Sequence, residues 1–506
     1  MTSLSQSPAW QQLRRLAVPR LTDLFDSNSK RAAHYRLTAA GIRLDYSRQP
    51  ITDDILNALF DLAQQEDVTG WRDKMFAGAA INATEQRPVL HWQWRLPHPP
   101  ADLAGTRERM RTVADQIRTG AWRGATGKTI KHIVNIGIGG SDQGPRLIYD
   151  GLVPLGIQDL QLHFVSNIDP VDLDRVTSLC DADEILFVIV SKSMNTLETR
   201  LNAEKAKAWL IQNLGMEADL SRHLLAVTTN LPTAAALGIP AENCFGFSSG
   251  VGGRYSIWSP VSLAVMIVLG SDAFDEFLAG AAEMDEHFQT ASLTDNMPVL
   301  LALLSLWQIN FNGTTAEAVL PYSTHLALLP AYLQQLVMES NGKSVTRDGA
   351  PVDYATAPVI FGSAGTLGQH SFHQLLHQGT SRIGSDFILI KGDQDDEMQR
   401  WLLANGLAQS AALLYGHEDA DPHRAHPGNR ASNLLLIDRL TPRSLGALLA
   451  LYEHKTFVQG ILWRINPFDQ FGVELGKIMA ADTFNALSGH TDTRIDTATA
   501  AFIADL

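Results

Sequence analysis

The chain has 506 residues, 45% of them apolar and 19% charged, a balance that suits a globular protein of about three domain-sized units and excludes a disordered one. A formal net charge of −14 argues against general binding to nucleic acid or anionic membranes, and obliges any anionic ligand to find a local basic pocket. With only two cysteines, Cys180 and Cys244, neither a disulfide framework nor a cysteine-rich metal site is expected.

Residues 1–105 read as helix and loop, with Leu13, Leu16, Leu21, Leu24 and Phe25 near helical spacing, and end in the breaker run Pro97-His98-Pro99-Pro100. Residues 1–10 show no charged region followed by an apolar run. The most apolar stretches, 261–270 and 299–307, are too short to span a bilayer, so a cytoplasmic location is expected. From about residue 129 short β-branched runs alternate with amphipathic segments. Strands are expected at 133–136, 162–165, 185–190 and 224–228, with helices from Gln143 and over 196–211. The pattern repeats after 272, with strands at 318–320, 359–361, 387–390 and 434–437 and helices over 326–338 and 445–463. Continuous apolar strands separated by helices predict parallel sheets covered on both faces. The fold class is therefore α/β: two three-layer αβα domains with parallel-rich sheets, a small one over 106–271 and a large one over 272–506 with C-terminal helices. An N-terminal helical region, 1–105, packs on the large domain.

Five segments carry chemistry. The run Asn135-Ile136-Gly137-Ile138-Gly139-Gly140-Ser141-Asp142 sits where a strand hands over to a helix, so its glycines let backbone N–H groups approach an anion. A dinucleotide fingerprint needs glycine where Asp142 stands, and the nearby Gly124–Thr129 run fails as a P-loop because Trp122 replaces its first glycine and it precedes a strand. Ser191-Lys192-Ser193-Met194-Asn195-Thr196-Leu197-Glu198-Thr199 starts at the carboxyl end of a strand, where open α/β sheets bind ligands. Its hydroxyls suit either a phosphate or a helix cap. Gly252-Gly253-Arg254-Tyr255-Ser256 presents an arginine from a tight turn, which suits a ligand or a surface ion pair. Gln335 and Glu339 close a helix at Ser340-Asn341-Gly342-Lys343, where the helix dipole disfavours a negative charge. His370, His373 and His377, after Gly365-Thr366-Leu367-Gly368-Gln369, share a helix face, but no carboxylate or thiolate pattern accompanies them and no metal is expected.

Together with Ile81–Arg87 and the stretch Ile465-Asn466-Pro467-Phe468-Asp469-Gln470-Phe471-Gly472-Val473-Glu474-Leu475-Gly476-Lys477, these ordered segments resemble the glucose-6-phosphate isomerase family over roughly residues 75–480. The resemblance implies SIS-like sheets, a homodimer, reversible conversion of glucose 6-phosphate to fructose 6-phosphate, and no metal or organic cofactor. It implies Glu339 as the base that moves a proton between C2 and C1, and Arg254 as the cation beside the enediolate. His370, supplied across the dimer interface, and Lys477 act in ring opening. Gly140, Ser141, Ser191, Lys192, Ser193, Thr196 and Thr199 match phosphate-binding positions, and Gln335 and Gln470 line the sugar site. The chain departs from the family pattern at Met194 and Asn195, where the phosphate loop has Phe-Thr, at Leu367, and at Pro467 and Phe471. Two other readings keep part of this chemistry: a bifunctional glucose/mannose phosphate isomerase, and a non-catalytic sugar-phosphate sensor that needs no base.

Overall fold

The structure is a computed structural model that describes residues 3–156, 159–490 and 494–506. Two compact units are present. Met1–Pro467 holds both sheets, and Phe468–Leu506 holds helices Glu474–Leu487 and Thr497–Ile503.

The first sheet consists of β3 (His132–Ile136), β4 (Gln161–Val165), β5 (Ile185–Val190), β6 (Leu224–Val227) and β7 (Cys244–Phe245), all parallel, in the order β4-β3-β5-β6-β7. All six residues of β5 are buried, which explains its unbroken apolar run. One face packs on helices Pro170–Thr177 and Leu197–Leu214 through Val134, Phe187, Leu173 and Ala206. The other is covered by helix Leu263–Leu269, buried along its whole length.

The second sheet has the order β1-β2-β11-β10-β8-β9, from β1 (Arg36–Ala39), β2 (Ile42–Asp45), β8 (Ala316–Tyr322), β9 (Val359–Gly362), β10 (Ile383–Ile390) and β11 (Ser432–Ile437). Its last four strands are parallel. The expected α/β architecture with parallel-rich sheets is thus observed, with one addition. The N-terminal stretch read as helix and loop carries a hairpin, and β2 pairs antiparallel with β11. The turn at Ala40-Gly41 has both residues at positive φ, 45° and 75°, the geometry that matches the twist of a two-residue hairpin.

Helix Pro442–Leu462 is buried on every side from Leu445 onward. It opens with a reciprocal cap between Thr441 and Ser444 and with Pro442 in its first turn. Its buried charges are paired, as burial demands: Lys455 Nζ meets Glu317 Oε2 at 3.0 Å, and Glu453 Oε2 meets Arg95 Nη1 at 2.9 Å. Arg95 Nε also meets Asp285 Oδ2 at 3.0 Å, and Trp258 Nε1 donates to Glu453 Oε1. This network ties the helix to the segment that follows Arg254. Among the described residues no helix is long and apolar enough to cross a membrane.

Candidate active site

The order of the first sheet reverses between β3 and β5: the chain goes from β3 outward to β4, then returns to lay β5 on the other side. The loops that leave the carboxyl ends of these neighbours border the crevice where α/β sheets take ligands. One is Gly137–Ser141 and the other Ser191–Thr196, the two runs that sequence singled out.

A third segment closes on them. Lys192 Nζ donates to the carbonyls of Ser248 and Val251, at 3.0 and 3.3 Å, tying the β5 loop to the run that leads to Arg254. Burial, with Arg87 nearby, pushes the Lys192 ammonium down to about 8. Gly140 presses on the same run: a Cβ there would lie 2.0 Å from the Gly253 carbonyl oxygen. Only glycine fits that approach.

Arg254 is 1% exposed. Its Nε donates to Ser340 Oγ at 2.6 Å, Nη1 to Glu339 Oε1 at 2.9 Å and Nη2 to the Pro467 carbonyl at 2.8 Å. The Tyr255 hydroxyl meets Ser340 Oγ at 2.9 Å and stacks its ring on buried His91. Glu339 ends a π-helical segment, Gln334–Glu339, where the sequence predicted one helix over 326–338. Such turns recur at functional sites. It brings Gln335 Nε2 to 3.3 Å from Glu339 Oε2, and Gln335 also lies against Gly139. Lys343 Nζ then donates to the carbonyls of Glu339, Ser340 and Asn466. Asn466 in turn bonds Asn82 and Thr84, so the Ile81–Arg87 segment braces the same corner.

The structure therefore brings together Gly140, Ser141, Lys192, Arg254, Gln335 and Glu339. Ser191 Oγ bonds Thr196 Oγ1 at 3.3 Å, Ser193 is exposed, and Thr199 is buried with no hydrogen-bond partner for its hydroxyl among the described residues. His370 is exposed on the turn Leu367–His370. His373 and His377, which share its helical spacing, both lie on Gln409 Oε1, at 3.1 and 2.8 Å. Gln470 and Lys477 belong to the C-terminal unit, where helix Glu474–Leu487 buries none of its residues. Sequence reasoning missed Ser340, Tyr255 and Pro467 as the groups that hold Arg254; only their adjacency to chosen residues hinted at them.

A sequence model of the phosphoglucose isomerase family matches residues 45–503. Glucose-6-phosphate isomerase of Deinococcus deserti is 46% identical over 513 residues, covering 94% of this chain and 94% of that protein. Glucose-6-phosphate isomerase of Deinococcus radiodurans is 44% identical over 532 residues, covering 99% and 98%. Among solved structures, a glucose-6-phosphate isomerase from Chlamydia trachomatis superposes with a TM-score of 0.90 at 32% identity, covering 100% of this chain and 99% of that one. With matches that span nearly its whole length, the chain belongs to the phosphoglucose isomerase family.

Proposed function

We propose that this chain catalyses the reversible isomerisation of D-glucose 6-phosphate to D-fructose 6-phosphate, as a cytoplasmic homodimer. The observation that carries the reading is Glu339 held at 2.9 Å from the immobilised Arg254 guanidinium, beside a switch-point rim of glycines and hydroxyls. A proton α to a carbonyl is weakly acidic, so its removal needs a positioned base and a stabilised oxyanion. Glu339 takes the proton from C2 of the open-chain sugar and returns it to C1. The negative charge of the cis-enediolate builds up beside Arg254. Phosphate binding at Gly140, Ser141 and the 191–199 loop fixes the register of the sugar and supplies binding energy remote from the reacting carbons. The unpartnered Thr199 hydroxyl supports that placement, since buried polar groups rarely lack a partner. Gln335 and Gln470 line the sugar, while Lys477 and His370 of the partner subunit open the ring.

The homodimer is supported by the exposed apolar side chains Leu475, Ile478, Met479 and Phe484 of the C-terminal unit, which a second copy would cover. Sedimentation equilibrium should return twice the chain mass. A non-catalytic sensor has no use for a carboxylate on a buried guanidinium. The deciding experiment is a coupled assay with fructose 6-phosphate and mannose 6-phosphate side by side. Turnover of the first is expected. Comparable turnover of both would assign the bifunctional activity, and turnover of neither would overturn the proposal.

A further inference from the structure

We propose that His132, His163 and Cys180 form a binding site for a divalent transition-metal ion of the zinc type, at the opposite end of the first sheet from the Arg254–Glu339 pair. The register pairs His132 with Gln161 and Val134 with His163, so both histidines stand on one face of β3 and β4. Helix Pro170–Thr177 packs across that face, and Cys180 follows it in the same core cluster as Val134, Leu173 and Val176.

One ligand atom from each of the three residues lies within 4.8 Å of the others. His132 Nδ1 and His163 Nε2 are 3.1 Å apart. A tetrahedral zinc ion with metal–nitrogen bonds of about 2.0–2.1 Å separates two nitrogen ligands by about 3.3 Å, close to that spacing. Imidazole and thiolate together are the donor set that selects such ions over calcium or magnesium. The histidines are half-buried and Cys180 is 9% exposed. The thiol of Cys180 must lose its proton to bind as a thiolate.

Strand β4 is the edge of its sheet. An ion here would staple β3, β4 and the end of the helix together. The five residues of β3 place the Gly137–Ser141 loop about 16 Å away, so the ion takes no part in turnover.

The test uses the full chain, stripped with chelator and titrated with Co2+ as a spectroscopic probe. One Co2+ per chain is expected, with a thiolate-to-cobalt charge-transfer band that Zn2+ abolishes. Cys180→Ser should lose the band, and His132→Ala should weaken binding at least tenfold, while isomerase activity stays within twofold. The unmodified protein should also melt higher with Zn2+ than with chelator. A plain hydrogen bond between the two imidazoles would give no band. That result, or a band that survives Cys180→Ser and vanishes in Cys244→Ser, overturns the proposal.

Discussion

Arg254 and Glu339 share a 2.9 Å ion pair in which the two partners are unequally exposed: the arginine side chain is 1% accessible and the glutamate side chain 26%. Ser340 and the Pro467 carbonyl hold the other edges of the guanidinium. The cation is therefore fixed, while the carboxylate keeps a face for a ligand. Arg254→Lys should expose this difference. An ammonium cannot satisfy three acceptors set around a planar fork. Losing one preorganised donor to a developing oxyanion lowers kcat by about 10²–10³-fold. Steady-state kinetics should show that loss with little change in KM.

Glu339→Gln separates chemistry from binding. The amide retains an oxygen for Arg254 Nη1 but cannot carry a proton between carbons. Exchange of the C1 and C2 hydrogens with D2O, followed by NMR, should fall to background. Competitive binding of inorganic phosphate should persist, because the groups proposed for it leave β3 and β5 rather than the π turn. Parallel loss of binding would mark Glu339 as a structural glutamate.

Strands β3 to β6 of the first sheet were legible because burial on both faces leaves mostly apolar runs, and β5 was read at its observed bounds. The loops after β3 and β5 were legible as strand-to-helix turns, because glycines and hydroxyls gather there at a strand end. The hairpin 36–45 was not, because its outward Arg36 and Arg43 break the apolar run over two four-residue strands. Strand β7 is only two residues long and offers no pattern. The π turn was hidden too, since a helix and a π segment have nearly the same apolar spacing. Arg95, Asp285 and Glu453 lie more than 150 positions apart and carry no local motif; only folding makes them one network.

Lys192 gives a pH signature. Its ammonium is pushed down to about 8 by burial and by Arg87, partly offset by Glu85. A lysine lowered in this way is charged below that value and neutral above it. A phosphate monoester is fully dianionic above neutral pH, its second pKa being about 6. Substrate affinity that uses the Lys192 charge should then fall as pH rises through 8, seen as a rising KM. Lys192→Arg, which stays charged, should flatten the profile, and a profile unchanged in that variant would remove Lys192 from phosphate binding.

The buried network should resist change asymmetrically. Arg95 and Glu453 have fully inaccessible side chains, and Asp285 is nearly so. Arg95→Leu leaves two buried carboxylates without their cation and should cost about 3–5 kcal/mol in chemical denaturation. Glu453→Gln should cost much less, since the amide can still accept from Trp258 Nε1. The pH dependence has a definite sign. Burial pushes the Glu453 carboxyl up to about 7 from 4.5, against the pull of Arg95. A carboxyl raised on folding contributes stability that is fully present below 4.5 and lost as pH rises through 7. The native protein should therefore lose stability relative to Glu453→Gln between pH 4.5 and 7. Denaturation midpoints of the two proteins that shift in parallel across that window would show that Glu453 stays ionised beside Arg95 throughout.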